Sequence, residues 1–255
     1  MDLSLKNISH SYGEVEVLKN IDLDIKKGQI VCLVGPSGCG KSTLLRFIGG
    51  LEKPSYGQVI QIGLANKNSL NPLTYIFQDF ALLPWLSVYE NIALVLEDHN
   101  IKKSEIKKII TDVLSRTQLS EFTNALPKQL SGGMKQRVAI ARALSVKPEV
   151  MLMDEPLSAL DSQTRELLMD DLIELWEKER FTACYVTHNL NEAVRLGHKI
   201  VVLSRRPGCI REIVDIDIPL KERHKHIEEL DKKQKKLWSL MREEALIADK
   251  ELINV

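Results

Sequence analysis

A cradle for phosphate is written into residues 35–42. Gly35, Pro36, Ser37, Gly38, Cys39, Gly40, Lys41 and Ser42 match the pattern G-x-x-x-x-G-K-[ST]. Glycines let a backbone fold around phosphate and aim its N–H groups inward. A helix opening at this point adds the positive end of its dipole. Lys41 supplies a point charge for the β- and γ-phosphates of a nucleotide. Ser42 offers a hydroxyl to Mg²⁺, and Thr43 follows in the same turn. The spacing of Gly35, Gly38 and Gly40 does not give the G-x-G-x-x-G of a dinucleotide site. A second signal is Val150-Met151-Leu152-Met153-Asp154-Glu155, an apolar run ending in two adjacent carboxylates. Asp154 suits Mg²⁺, which dehydrates reluctantly and takes few carboxylate ligands. Glu155 can orient or deprotonate a water for in-line attack on a γ-phosphate.

Such groups need a strand–loop–helix frame, and the hydrophobic pattern supplies one. Ile30 to Val34 is a continuous apolar run ending in glycine, the mark of a buried strand, and Lys41 to Gly50 reads as a helix. Tyr75 to Phe77, Val150 to Met153, Ala183 to Val186 and Ile200 to Leu203 resemble further central strands. Helical patterns lie at Ser87 to Leu96, Lys102 to Thr117, Gly132 to Leu144, Gln163 to Lys178 and Leu190 to Leu196. Strands alternating with helices argue an α/β core: a mainly parallel sheet with helices on both faces. Two departures stand out. Leu3, Leu5, Ile21, Leu23 and Ile25 alternate at period two, as in half-buried antiparallel strands. The stretch from about 80 to 147 carries helices and no convincing strand, so it reads as an all-helical insertion. From 219 to 255 the chain reads as a charged helical extension. In it Ile227, Leu230, Gln234, Leu237, Trp238 and Met241 recur at helical spacing and give one apolar stripe to dock on the core. Seven Lys/Arg against four acids in 221–236 leave lipid headgroups as the alternative partner of that helix.

Composition bounds the function. The chain has 255 residues, 44% hydrophobic and 27% charged, enough for a core without staples and too apolar for a disordered chain. Thirty-five basic residues balance 35 acidic ones, and a net charge of zero does not invite nucleic acid as a partner. Cysteines 32, 39, 184 and 209 form no CxxC pair and no zinc spacing, and apolar neighbours such as those of Cys32 suggest buried reduced thiols of a cytosolic compartment. No secretory signal pattern opens the sequence. The longest apolar runs fall far short of the about 20 residues a spanning helix needs, so a membrane role would be peripheral.

Leu130-Ser131-Gly132-Gly133-Met134, 24 residues before Asp154, resembles the signature motif of ATP-binding-cassette ATPases. Other cassette landmarks follow in order. Tyr12 is similar to the aromatic that stacks on adenine, Gln78 to the glutamine joining core and helical insertion, Ser158 to Asp161 to the D-loop, and His188 to the switch histidine. The resemblance covers about residues 1–218, as one ATPase domain. It implies a P-loop NTPase core with ATP and Mg²⁺ as ligands. It further implies Glu155, His188 and Gln78 as catalytic groups, Ser42, Gln78 and Asp154 as metal ligands, and a head-to-tail homodimer whose Ser131, Gly132, Gly133 and Asp161 close over the partner's nucleotide. Ser131 and Gly133 at a helix start make chemical sense as an anion site. Met134 stands where the wider family has glutamine and lacks an amide to hydrogen-bond.

Phe77 to Asn91 carries large apolar residues around Pro84 and resembles the wording of nitrate, sulfonate and taurine importers, as does Arg206-Pro207-Gly208. That branch implies an integral membrane permease docking near Gln78 to Asn91, in helix-in-groove fashion. It also implies an extracytoplasmic substrate-binding protein and a place on the cytoplasmic face of the cell membrane. An exporter or lipid-handling cassette is one alternative, and soluble cassette ATPases of the ribosome or DNA are another. A single cassette, with Lys41 and Asp154 only 113 residues apart, argues against their paired or coiled-coil-split architectures.

Overall fold

The computed structural model describes residues 1–253; the last two residues of the expected extension, 254 and 255, lie outside the described residues. In chain order the elements are β1 (Asp2–Tyr12), β2 (Val15–Ile25), β3 (Ile30–Val34), α1 (Lys41–Ile48), β4 (Tyr56–Ile62), β5 (Leu73–Ile76), α2 (Val88–Glu97) and α3 (Lys103–Arg116). They continue with α4 (Gly132–Ser145), β6 (Val150–Asp154), α5 (Ser162–Glu179), β7 (Thr182–Val186), α6 (Leu190–Leu196), β8 (Lys199–Leu203), β9 (Ile210–Asp215) and α7 (Ile227–Ile253). Short 3₁₀ turns occupy Ser120–Phe122, Pro127–Gln129 and Leu220–Lys225. The chain divides into two compact units, Met1–Leu64 with the chain from Thr182 onward, and Ala65–Phe181.

In the first unit β1 pairs antiparallel with β2, matching Leu3 to Ile25, Leu5 to Leu23 and Ile8 to Ile21. The period-two apolar residues therefore share one face, and all of these are buried. The other edge of β1 takes β4, a strand the sequence pattern did not show: only Val59 and Ile60 of β4 are even half-buried, so burial leaves little period to read. A second sheet places β3 between β7 and β8, parallel to both, and adds β9 antiparallel to β8. Every residue of β3 and β7 is buried, as unbroken apolar runs flanked on both sides require. Strand β9 also escaped the sequence reading, because its Ile-Arg-Glu-Ile-Val-Asp mixes exposure at an edge.

The second unit pairs β5 with β6 in parallel, Tyr75 opposite Leu152 and Ile76 opposite Met153. Helices α2, α3 and α4 lie between these strands in sequence, in the span read as an insertion; the compact unit is wider and takes in β5, β6 and α5. Helix α2 starts on a reciprocal cap: Ser87 Oγ accepts from the Glu90 N–H, and the Glu90 carboxylate accepts from the Ser87 N–H.

The C-terminal helix corrects one expectation. Leu230 and Leu237 are buried, but Ile227 and Trp238 are each 62% exposed, so the apolar residues do not form one docked stripe. The buried arc passes instead through Leu230, Leu237 and Glu244, each seven residues after the last. No helix among the described residues is long and apolar enough to cross a membrane.

Candidate functional site

In the first unit the phosphate loop runs from the end of β3 into α1. Gly38 and Gly40 hold φ of 76° and 100°, a region that a side chain disfavours. A Cβ on Gly40 would also lie 2.7 Å from Leu18. No side chain caps α1, and no acid sits in its first turn, so its leading N–H groups face the loop without a local anion. Lys41 is 7% exposed, and its ammonium donates to the carbonyls of Gly35 and Pro36 at 2.9 Å each. Cys39, inside the loop, is 1% exposed; burial pushes its thiol up, away from the reactive thiolate. None of the four cysteines forms a disulfide; Cys32, Cys39 and Cys184 are buried and Cys209 is partly exposed.

Tyr12 closes β1 with its ring 46% exposed. One side of the ring meets His10 edge-on, with centroids 4.5 Å apart. Its hydroxyl donates to Glu52, which Arg46 pairs at 3.1 Å. That bond to Glu52 raises the Tyr12 phenol above its ordinary pKa and holds the Glu52 carboxyl below its own. A fixed, half-exposed aromatic face can stack on a base. Glu52, Arg46 and His10 were not foreseen as its supports; Arg46 and Glu52 are hidden by 34 and 40 residues of separation, and His10, two residues before, shares its strand face.

His188 follows β7 and is exposed, between the buried Thr187 and the N-cap Asn189, which accepts from the N–H groups of Asn191 and Glu192. The loop is fixed from below. Glu192 on α6 is 2% exposed, and one of its oxygens accepts from Tyr185 Oη and Thr187 Oγ1, each at 2.8 Å. Thr187 Oγ1 in turn accepts from the Asn189 N–H at 2.9 Å. Amphipathic period alone cannot tell a buried glutamate on a helix from an exposed one, so Glu192 was missed.

The second unit carries the carboxylates. Asp154 ends β6, where Tyr75 donates to its Oδ2 at 3.1 Å. Glu155 follows in a left-handed conformation, φ 45°, which costs a non-glycine residue about 1–3 kcal/mol. Ser158 holds it there: its N–H and its hydroxyl both donate to the Glu155 carbonyl, at 3.1 and 2.9 Å. The D-loop serine thus sets the backbone of the candidate base. Asp161 caps α5, accepting from the N–H groups of Gln163 and Thr164. The Thr164 N–H holds its carboxyl below the ordinary range. Ser131 caps α4 through the Met134 N–H at 3.2 Å, so its lone pair serves the helix while its O–H is left to donate. A Cβ on Gly133 would lie 2.5 Å from Thr164, which ties the glycine at that position to the packing of α4 on α5.

Gln78 is exposed two residues after β5. The segment after it is shaped by two side chains the sequence reading passed over. Asn91, fully buried, accepts from the Leu83 N–H and donates to the carbonyls of Leu83, Leu86 and Ser87. Arg142 donates to the carbonyls of Ala81 and Phe80. The result pushes Trp85 out to 71% exposure, with Phe77 at 46%. Trp85 therefore does not serve core packing.

Three comparisons place these features among known proteins. The family model for ABC transporters matches residues 18–158. An uncharacterized ABC transporter ATP-binding protein of Methanocaldococcus jannaschii is 43% identical over 234 residues, covering 92% of this chain and 87% of that protein. The aliphatic sulfonates import ATP-binding protein of Bacillus cereus is 40% identical over 232 residues, 91% of either chain. A dimeric bacterial ABC transporter cassette matches with TM-score 0.72 and 37% identity, over 84% of this chain and 98% of that one. A second solved form of that cassette, with the same scores, is a post-hydrolysis state bound to ADP and phosphate. The fold is thus an α/β P-loop NTPase fold, and the chain is a member of the ABC transporter family, an ATP-binding and ATP-hydrolysing cassette.

Proposed function

We propose that this chain energises an importer of small solutes, in the class of sulfonate, nitrate or taurine, through a separate membrane permease. The observation that carries the reading is the loop after Gln78. A tryptophan exposed at 71%, on a backbone pinned by a buried asparagine, is a rigid apolar anchor with no intramolecular use. It suits a helix of a membrane subunit seated in the groove beside it. Relatives at about 40% identity named as aliphatic sulfonates import proteins support the solute class. The cassette then sits on the cytoplasmic face of the membrane, and an extracytoplasmic binding protein delivers the solute.

Two copies close head to tail over two ATP molecules. In each, the 35–43 loop binds the phosphates through its N–H groups and Lys41, and Tyr12 stacks on adenine. Ser131, Gly132, Gly133 and Asp161 of one copy complete the site of the other. Ser42, Asp154 and Gln78 are hard oxygen donors with a single carboxylate, a set that fits Mg²⁺. A Mg²⁺ held by them would supply charge neutralisation on the phosphates. Glu155 accepts a proton from the attacking water, and His188 and Gln78 orient that water and the γ-phosphate. Hydrolysis reopens the dimer.

The test is affinity purification of the Glu155→Gln variant from detergent-solubilised native membranes with Mg-ATP, read by mass spectrometry. The variant is expected to hold nucleotide as a closed dimer and to bring down a multi-spanning permease. Recovery of ribosomal or DNA-processing proteins without a permease overturns the importer reading.

A further inference from the structure

The loop 204–209, between β8 and β9, lies against the phosphate loop, and three groups of contacts fix it. Within itself it is closed by Ser204, whose hydroxyl donates to the Pro207 carbonyl and accepts from the Cys209 N–H. Against β2 it is held by Gly208, which donates to the Val17 carbonyl at 2.8 Å and accepts from Lys19 at 3.1 Å. Against α7 it is held by Glu244, 3% exposed, whose carboxylate accepts from the Arg205 N–H at 2.9 Å and pairs with the Arg205 and Arg211 guanidiniums.

From this anchored loop Arg206 reaches the phosphate loop. Its Nε and Nη2 both donate to the Gly38 carbonyl, at 3.2 and 3.0 Å. Gly208 approaches the next residue so closely that a Cβ would lie 2.1 Å from the Cys39 carbonyl oxygen. The geometry matters because a trans peptide is rigid: its C=O and N–H point in opposite directions. A guanidinium holding the Gly38 carbonyl therefore fixes the direction of the Cys39 N–H, which here points at the Pro36 carbonyl, 3.3 Å away. Glycine at 38 and 40, both with positive φ, puts no Cβ in the way of that peptide rotating. Within the loop that peptide is restrained by the 3.3 Å bond from the Cys39 N–H to Pro36, and Arg206 adds two N–H groups to its oxygen from outside.

We propose that Arg206 is a positioning residue for nucleotide binding, fixing the Gly38–Cys39 peptide of the phosphate loop, and that α7 sets this hold through Glu244 and Arg205. The C-terminal helix is then part of the nucleotide site's affinity rather than a packed appendage. The proposal rests on the reading of residues 35–43 as the phosphate cradle.

The test titrates the full-length chain with ADP and with ATP, both in EDTA so that nothing is hydrolysed, by isothermal titration calorimetry. Arg206→Ala is expected to weaken both nucleotides equally, by about tenfold, the scale of one lost charge-assisted hydrogen bond. Arg206→Lys, with one donor group in place of a fork, falls between. Glu244→Gln weakens both in the same direction. The Arg206→Ala/Glu244→Gln double variant is no weaker than Arg206→Ala alone, because both act on one peptide. Melting temperatures are taken for each variant, since a merely structural role would track stability and not affinity. Unchanged affinity in Arg206→Ala overturns the proposal. So do losses that multiply in the double variant, or a loss confined to ATP, which would mean direct contact with the γ-phosphate. Lys41→Ala separates the two layers: if it too binds as tightly as the parent, the cradle reading has failed rather than the brace.

Discussion

Replacing Glu192 by alanine tests how the switch-histidine loop is held. Tyr185 Oη and Thr187 Oγ1 both donate to one Glu192 oxygen, at 2.8 Å, and Tyr185, Thr187 and Glu192 are 1%, 2% and 2% exposed. Removing the carboxyl leaves two buried hydroxyls without this acceptor. Each buried hydroxyl that loses this acceptor costs about 1–3 kcal/mol, so the change is about 4 kcal/mol within a range of about 2–6. For a chain of this size each kcal/mol lowers Tm by about 2–4 °C, giving a fall of about 8–16 °C. Glu192→Gln is the informative partner. Its amide oxygen has two lone pairs and can take both hydroxyls, so most of the loss should return. The assay is a thermal melt of both variants, followed by ATPase activity well below the lower Tm. Because Thr187 also accepts from Asn189, the alanine variant should lose activity through a displaced His188 even where it is folded. A Glu192→Ala protein melting within 2 °C of the parent would show that this acceptor does not hold the loop.

Other outcomes follow from the same contacts. Gly208→Ala places a carbon 2.1 Å from a backbone oxygen of the phosphate loop. Overpacking of about 1–3 kcal/mol exceeds the about 0.4–1 kcal/mol gained by stiffening the unfolded chain, so Tm falls by several degrees; an equal or higher Tm refutes the contact. Tyr12→Ala should weaken nucleotide binding by about 1–3 kcal/mol, and Tyr12→Phe, which keeps the ring but not the bond to Glu52, by less. Equal losses in calorimetry would mean that the hydroxyl and not the ring carries the effect. Burial pushes the Glu244 carboxyl up, but the Arg205 N–H and the Arg211 and Arg205 guanidiniums more than offset it and hold its pKa below the ordinary value. A depressed acid stabilises the fold above its unfolded pKa of about 4.3 and loses that contribution as pH falls through the folded value. The Tm gap between parent and Glu244→Gln should therefore be constant above about pH 5 and shrink below about pH 4. A gap that stays constant or widens as pH falls below about 4 contradicts the assignment.

The sequence by itself determined the family and the core strands, and it names the candidate residues for the chemistry. Local rules suffice there. The phosphate loop must be glycine-rich wherever it occurs, β3 throughout and β7 from Ala183 on are apolar runs in buried strands, and Ser131 and Asp161 are cap types at helix starts. What the tertiary structure alone decided is how those residues are held. Strands β4 and β9 sit at sheet edges with mixed exposure, so no period announces them. The one-stripe reading of α7 failed because a helix leaning on β8, β9 and α6 buries an arc through Leu230, Leu237 and Glu244 and leaves Ile227 and Trp238 outside. Glu155 looks like any acid after a strand until its left-handed backbone and the Ser158 clamp are seen. Glu52 under Tyr12, Glu192 under His188 and Arg206 on Gly38 act across 40, 4 and 168 residues of chain. A hydrogen bond requires two groups within about 3 Å and a shared direction. Residue type and spacing fix which groups a chain owns; only the packed backbone brings a donor to its acceptor.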